Sequence, residues 1–285
     1  MLPEPPVHSP RSLAEALATL AEDASYRPVA GGTDLLVQIG GEIGDAPERV
    51  LDLWGVDELR GIRLRDGMLE IGALTTYTQI RQSPEVARHL PALAEAAATI
   101  GAAQIQNRGT IGGNAVNASP AGDTLPILLV TDAELVAGSA RGERAIPAAE
   151  FWPAYRRTAL ASDELLLRIR FPLPDGRQVR FRKVGTRRAQ AISKVVMALA
   201  WRPGADGTWT DVHLALGSMA PTPVRAHGTE AVLQGAAPTG ETAERAVAAL
   251  AEELHPIDDV RSTAAYRQAV AGRVLHRLIR DEGGW

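Results

Sequence analysis

The sequence predicts an α+β protein made of several packed units. Its 285 residues exceed the length of an average domain, and 45% hydrophobic with 22% charged residues are ordinary values for a globular chain. Apolar residues recur at helical spacing near both ends and alternate as in strands in between. A cluster of proline and glycine at 172–176 marks a boundary, after which strands come first and helices follow.

The first 54 residues are typical of a small β-α-β unit. Ser12 and Glu15 form a capping-box pattern at the start of an apolar repeat of helical period. The other elements predicted for this unit are a strand at 27–30, a short helix at 33–39 and a strand at 49–53.

The segment 55–175 is predicted to be a second unit. Asp66-Gly67 separates two alternating segments, which is the signature of a β-hairpin. Pro91 opens a helix that is expected to stop at Gly101, and Asp123 can cap a helical segment at 125–129. Strands are predicted at 135–137 and 165–171.

The last unit, 176–285, is predicted to hold a three-stranded antiparallel sheet with helices on one face. Its strands are predicted at 179–184, 191–201 and 209–217, and its helices at 226–233, 241–254 and 263–280.

Composition excludes several classes of protein. The chain has no cysteine, so it has no disulfide, thiolate nucleophile or cysteine-held iron–sulfur cluster. A net charge of −4 gives no reason to expect nucleic acid. No apolar run approaches the roughly 20 residues of a membrane span, and the N-terminus lacks the pattern of a secretory signal, so a cytoplasmic location is expected.

No side chains form a recognisable catalytic or metal-binding pattern. The six histidines are scattered without metal-ligand spacing, and a Gly-x-Ser-x-Gly elbow is absent. These observations favour a scaffold for an organic cofactor that carries the chemistry itself.

Two glycine-rich segments are the candidate ligand site. Residues 107–124 contain four glycines among small or hydrogen-bonding side chains, and residues 28–37 read as a strand, a glycine turn and a helix start. Free N–H groups in such loops can form an anion-binding concavity, and a diphosphate would fit there. The alternative is that both segments are ordinary turns.

These segments resemble the two FAD loops in the flavin subunit of molybdenum hydroxylases of the xanthine dehydrogenase and carbon monoxide dehydrogenase type. The first motif is Ala30-Gly31-Gly32-Thr33-Asp34-Leu35, and the second is Thr110-Ile111-Gly112-Gly113-Asn114 with Ser119-Pro120 and Asp123. Phe181-Arg182-Lys183-Val184 and Ile192-Ser193-Lys194-Val195 extend the similarity over nearly the whole chain.

The resemblance implies a two-subdomain FAD-binding fold of the vanillyl-alcohol-oxidase/PCMH-like class, formed by 1–54 and 55–175 and followed by a C-terminal α+β domain. The FAD-binding residues it implies are Val29, Ala30, Gly31, Gly32, Thr33, Asp34, Leu35, Ile100, Thr110, Gly113, Asn114, Asn117, Asp123, Leu166 and Lys183. A leucine in an apolar strand is normally a core residue, which is the alternative for Leu166 and, similarly, for Ile100. Lys183 could be a solvated strand residue, but its place as one of two lysines in the chain favours the site. No catalytic residue and no metal ligand is implied.

The resemblance also implies an oxidoreductase complex with two partner subunits. A large subunit would bind molybdopterin and oxidise the substrate, and a small subunit with two [2Fe–2S] clusters would deliver electrons to this FAD. The flavin would pass them to NAD⁺, oxygen or a quinone. Two alternatives are a self-contained FAD-dependent oxidase or dehydrogenase, and a non-redox nucleotide-binding module.

Overall fold

The computed structural model describes residues 5–40, 47–187 and 190–285. The opening residues 1–4, where no secretory signal is expected, lie outside these ranges. Within them the chain forms three sheets, and no helix there is both long and apolar enough to cross a membrane.

The N-terminal sheet is small and parallel. Its strands are β1 (Val7–His8), β2 (Tyr26–Val29) and β3 (Arg49–Asp52), in the order β1-β3-β2, with helices α1 (Leu13–Glu22) and α2 (Leu35–Gly40) in the connections. The Ser12 hydroxyl caps α1 as predicted, accepting from Glu15 N at 3.2 Å. A capping box also requires the Glu15 carboxylate to accept from Ser12 N. The carboxylate accepts instead from Arg11 N at 2.8 Å, so this half of the prediction is wrong.

The second sheet has five antiparallel strands in the order β4-β5-β8-β6-β7. The strands are β4 (Ile62–Arg65), β5 (Met68–Gly72), β6 (Glu134–Ser139), β7 (Gly142–Pro147) and β8 (Leu165–Pro172). The helices are α3 (Tyr77–Gln82), α4 (Pro84–His89), α5 (Pro91–Ala98), α6 (Ala103–Arg108), α7 (Ile111–Asn117), α8 (Leu125–Val130) and α9 (Ala148–Phe151).

The hairpin prediction in this unit is confirmed. Asp66 and Gly67 both have positive φ, 50° and 73°, which is the conformation that a tight two-residue hairpin turn requires. The helix that begins at Pro91 ends at Ala98, earlier than the predicted stop at Gly101. Strand β7 and the short helices α3, α4 and α6 have no counterpart in the sequence prediction.

The C-terminal sheet is antiparallel in the order β12-β11-β10-β9. Its strands are β9 (Gln178–Val184), β10 (Val195–Pro203), β11 (Trp209–Gly217) and β12 (Val224–Arg225), and its helices are α10 (His227–Leu233), α11 (Gly240–Glu253) and α12 (Ala264–Gly283). The three predicted strands are present, β10 begins later than predicted, and β12 adds a short fourth strand.

Strand β10 is buried on both faces. Met197 and Leu199 pack among the C-terminal helices, whereas Val196 and Ala198 belong to the core of the five-stranded unit. Because successive side chains of a strand point to opposite faces, one strand joins the two cores. This packing fixes β9, and with it Lys183, against the helices of the second unit.

Candidate functional site

The first glycine segment connects β2 to α2. Gly32 has a φ of 74°, a conformation that glycine adopts at little cost. Gly31 lies so close to α6 that a Cβ added to it would be 1.7 Å from the Arg108 carbonyl oxygen. Among the described residues no acceptor meets the backbone N–H groups of Gly31, Gly32 or Thr33. This segment therefore presents unpaired donors at a helix N-terminus.

Part of the second glycine segment, Ile111–Asn117, is helical, which corrects the interpretation of these residues as a loop. Thr110 is the N-cap of α7, and its hydroxyl accepts from Gly113 N at 3.0 Å. The N–H groups of Ile111 and Gly112 donate to Thr75 and Ala73, at 3.1 and 2.9 Å. At the start of α7 the protein itself satisfies these donors, so the free N–H groups expected from the sequence are not found at Ile111, Gly112 or Gly113.

The structure brings the two segments together. In addition to the close approach of Gly31 to Arg108, a Cβ on Gly113 would lie 3.9 Å from that of Ala30. Gly112 packs on Ala73, which places the start of α7 directly over the end of β5. The N-terminal sheet and the five-stranded unit therefore meet at these glycines.

Arg156 links the far ends of the two segments. Its Nη1 donates to Asn117 Oδ1 at 2.8 Å and lies 3.8 Å from Asp34 Oδ2. Neither its residue type nor its neighbours in the sequence indicate this role, and it was not among the predicted site residues.

A hydrogen bond connects α7 to the segment that contains Asp123. Asn114 Oδ1 accepts from the Thr124 hydroxyl at 2.7 Å. Asp123, beside Thr124, does not cap α8 as predicted; the N-cap is Thr124 and makes no side-chain cap. The Asp123 carboxylate instead accepts from Lys183 Nζ at 2.6 Å.

Asp123 and Lys183 form a buried ion pair, with each side chain only 9% exposed. Lys183 Nζ also donates to the Thr99 carbonyl at 3.0 Å, next to Ile100. Lys183 is therefore not a solvated strand residue. Burial raises the pKa of Asp123, and the charge and hydrogen bond of Lys183 act in the opposite direction.

Two buried oxygen atoms, one in this pair and one on a neighbouring tyrosine, meet no hydrogen-bond partner in the part of the chain that the structure describes. They are Asp123 Oδ1 and Tyr77 Oη, and burial followed by the Asp123 charge raises the pKa of the tyrosine. Unpaired buried polar atoms are rare and costly, so a ligand or water that pairs with them would stabilise the fold.

The remaining predicted residues divide into two groups. Val29, Ala30 and Leu35 lie in the first segment, at the end of β2, in the turn and at the start of α2, and Ile100 is half-buried after α5. Leu166 lies in β8 with 6% exposure, among the side chains of the main core, and pairs with Ala137 across the sheet.

Comparison with known proteins identifies the chain's relatives. Residues 4–174 match the family described as the FAD binding domain in molybdopterin dehydrogenase, and residues 180–281 match the CO dehydrogenase flavoprotein C-terminal domain. The chain belongs to this family of FAD-binding subunits. It is an oxidoreductase subunit with a two-subdomain FAD-binding fold, a C-terminal α+β domain, and FAD as its cofactor.

Individual relatives align over nearly their whole length. The xanthine dehydrogenase FAD-binding subunit of Escherichia coli O157:H7 is 33% identical, and the nicotinate dehydrogenase FAD-subunit of Eubacterium barkeri 32%, each over 97% of both chains. A structure of carbon monoxide dehydrogenase from Hydrogenophaga pseudoflava superimposes with a TM-score of 0.92 at 33% identity, covering 97% of this chain and 96% of that one.

Proposed function

We propose that this FAD-binding subunit is the electron-transfer component of a molybdenum hydroxylase. It would accept electrons from the [2Fe–2S] clusters of a small partner subunit and pass them to NAD⁺, oxygen or a quinone, while a large molybdopterin-binding subunit oxidises the substrate. The family supports this role. The chain itself has no cysteine with which to hold an iron–sulfur cluster.

The observation that carries the proposal is the row of N–H groups at Gly31, Gly32 and Thr33, which have no acceptor among the described residues and lie beside the Arg108 carbonyl at the end of α6. These donors would bind the diphosphate of FAD, because backbone N–H groups before a helix favour an anion. Ala30, Val29 and the start of α2 would complete this side of the site with Asp34 and Leu35.

Side chains would provide the opposite wall, since the N–H groups of α7 are already used. Thr110, Asn114 and Asn117 on α7 would contact the phosphates and the ribityl chain, and Gly113 would leave room for them. Ile100 would pack on the cofactor from the segment after α5.

The buried pair would hold the polar part of the cofactor. The Asp123 carboxylate would accept a hydrogen bond from a ligand N–H group, and Lys183 keeps that carboxylate in place. Leu166, in the core, would contribute apolar surface at most. When bound, the isoalloxazine ring supplies the redox chemistry that these side chains lack.

The large partner subunit, and not this chain, would select the substrate. Relatives named for xanthine and for nicotinate are almost equally similar to this chain, at 33% and 32% identity. A chain that selected the substrate would be expected to resemble one of them more than the other.

Coexpression with the adjacent genes tests this function. The chain should copurify with a larger and a smaller subunit, and the complex, but not the isolated FAD-loaded chain, should oxidise a purine, an aldehyde or carbon monoxide. In a complex carrying Gly31→Ala, the substrate should still reduce the iron–sulfur clusters while transfer to the acceptor is lost. Substrate turnover by the isolated chain would instead favour a self-contained flavin oxidase.

A further inference from the structure

Arg156 occupies a turn position that does not suit its residue type. Arg157 N donates to the Ala154 carbonyl at 3.0 Å, which closes a four-residue turn, and Arg156 is its third residue with a φ of 56°. Glycine or asparagine is favoured in this left-handed conformation. Strain of this kind persists where the side chain has a function or the surroundings enforce it.

The surroundings fix this turn against α7. Trp152, four residues earlier, donates from its indole nitrogen to the Ala115 carbonyl at 2.9 Å. From this anchored position the Arg156 guanidinium reaches Asn117 at the end of α7 and Asp34 before α2. The Arg156 side chain therefore spans from one glycine segment to the other.

Apolar packing does not hold the first segment at this end. Leu36 and Val37, the last two residues of the segment, are 67% and 65% exposed. The opposite end is fixed by the close approach of Gly31 to Arg108. Arg156 adds a contact from α7 to this end of the segment, through Asn117 and Asp34.

We propose that Arg156 is a positioning residue for the dinucleotide, acting through Asn117 and Asp34. It holds the two segments at the separation that a diphosphate requires, so that the cost of ordering them is met before the ligand binds. This inference rests on the proposed FAD function and adds a residue outside both motifs.

Flavin titration of the apo form of the full chain tests the proposal. Arg156→Gln should weaken FAD binding about tenfold, the size expected for one charge-assisted hydrogen bond. Arg157→Gln is the matched control, because the Arg157 side chain has no partner among the described residues, and its affinity should equal that of the parent.

Arg156→Gly separates positioning from stability. Glycine suits the φ of 56°, so the melting temperature of the apo protein should stay unchanged or rise while FAD affinity falls. If Arg156 had a purely structural role, its substitution would lower the melting temperature and the FAD affinity together, and that result would overturn the inference.

A double-mutant cycle with Asn117→Ala tests the route. If Arg156 acts through Asn117, the two effects should not add. The dissociation constant of the double variant for FAD should then be at most about twofold above that of the weaker-binding single variant. Full additivity, or an Arg156→Gln variant that binds as tightly as the parent, overturns the inference and leaves the proposed function standing. A parent chain that binds no FAD overturns both.

Discussion

At the residue scale, the site depends on the missing side chain of Gly31. Its backbone contacts the Arg108 carbonyl so closely that no L-residue fits without separating the two segments. We expect Gly31→Ala to displace two charge-assisted contacts of about 1.5–3 kcal/mol each, and so to weaken FAD binding by roughly 10²–10⁴-fold in a flavin titration.

Gly55→Ala is the control for that substitution, because the nearest atom to its added Cβ is 4.0 Å away. Its FAD affinity should equal that of the parent, and circular dichroism should show that both variants keep their secondary structure. Equal affinities for the two alanine variants would mean that the contact with Arg108 does not shape the site.

The buried ion pair of Asp123 and Lys183 leads to a prediction about stability. Lys183→Met leaves the Asp123 carboxylate buried without its counter-charge, so the free energy of unfolding in urea should fall by about 3–5 kcal/mol. Adding Asp123→Asn removes the charge and should recover most of the loss. If the double variant were no more stable than the single one, packing rather than charge would explain the effect.

The pH dependence of Lys183→Met has a definite sign. Burial already raises the pKa of Asp123 in the folded state, and loss of Lys183 raises it further. The folded state then binds a proton more readily than the unfolded state does, so stability should rise as the pH falls through the folded pKa towards the ordinary value of 3.8. The Asp123→Asn/Lys183→Met variant should lack this rise.

Residue-scale features differ in how far the sequence can predict them. The glycine motifs and Lys183 stand out in the sequence because their types or scarcity are unusual. Arg156 has no such mark: it is one of many arginines and lies 39 residues from Asn117 in the chain. Its role depends on how a distant turn is anchored, which only the fold determines.

At the scale of elements, α7 shows why the sequence misleads. Glycine and asparagine are poor helix formers, so Ile111–Asn117 has the composition of a loop. The helix forms because Ala73 and Thr75 accept hydrogen bonds from its first N–H groups and because Thr110 caps it. By contrast, α12 could be predicted from the helical period of its apolar residues, and β10 from its continuous apolar run.

The cap of α7 is open to a direct test. Thr110→Ala removes the acceptor of Gly113 N in a buried position and should lower the free energy of unfolding by about 1 kcal/mol, within the usual range for an N-cap. Thr110→Ser keeps a hydroxyl and should be close to the parent in a urea titration. A serine variant as unstable as the alanine variant would assign the loss to the methyl group and its packing.

At the scale of the whole molecule, the second unit and the C-terminal sheet share β10. Because alternate β10 side chains enter both cores, the two parts should unfold together. In hydrogen exchange at rising urea, peptides from α8 and from β10 should lose protection at the same concentration. Loss of protection in β10 while α8 stays protected would contradict a shared core.

The central claim is that the two glycine segments form a FAD site, and flavin binding by the purified chain tests it most directly. After removal of any bound flavin, the colourless parent chain should take up FAD in a saturable titration, and the complex should be yellow after gel filtration. The Gly31→Ala variant, folded by circular dichroism, should stay colourless under the same conditions. A folded parent chain that takes up no FAD, or a Gly31→Ala variant that binds it as tightly as the parent, would contradict the account.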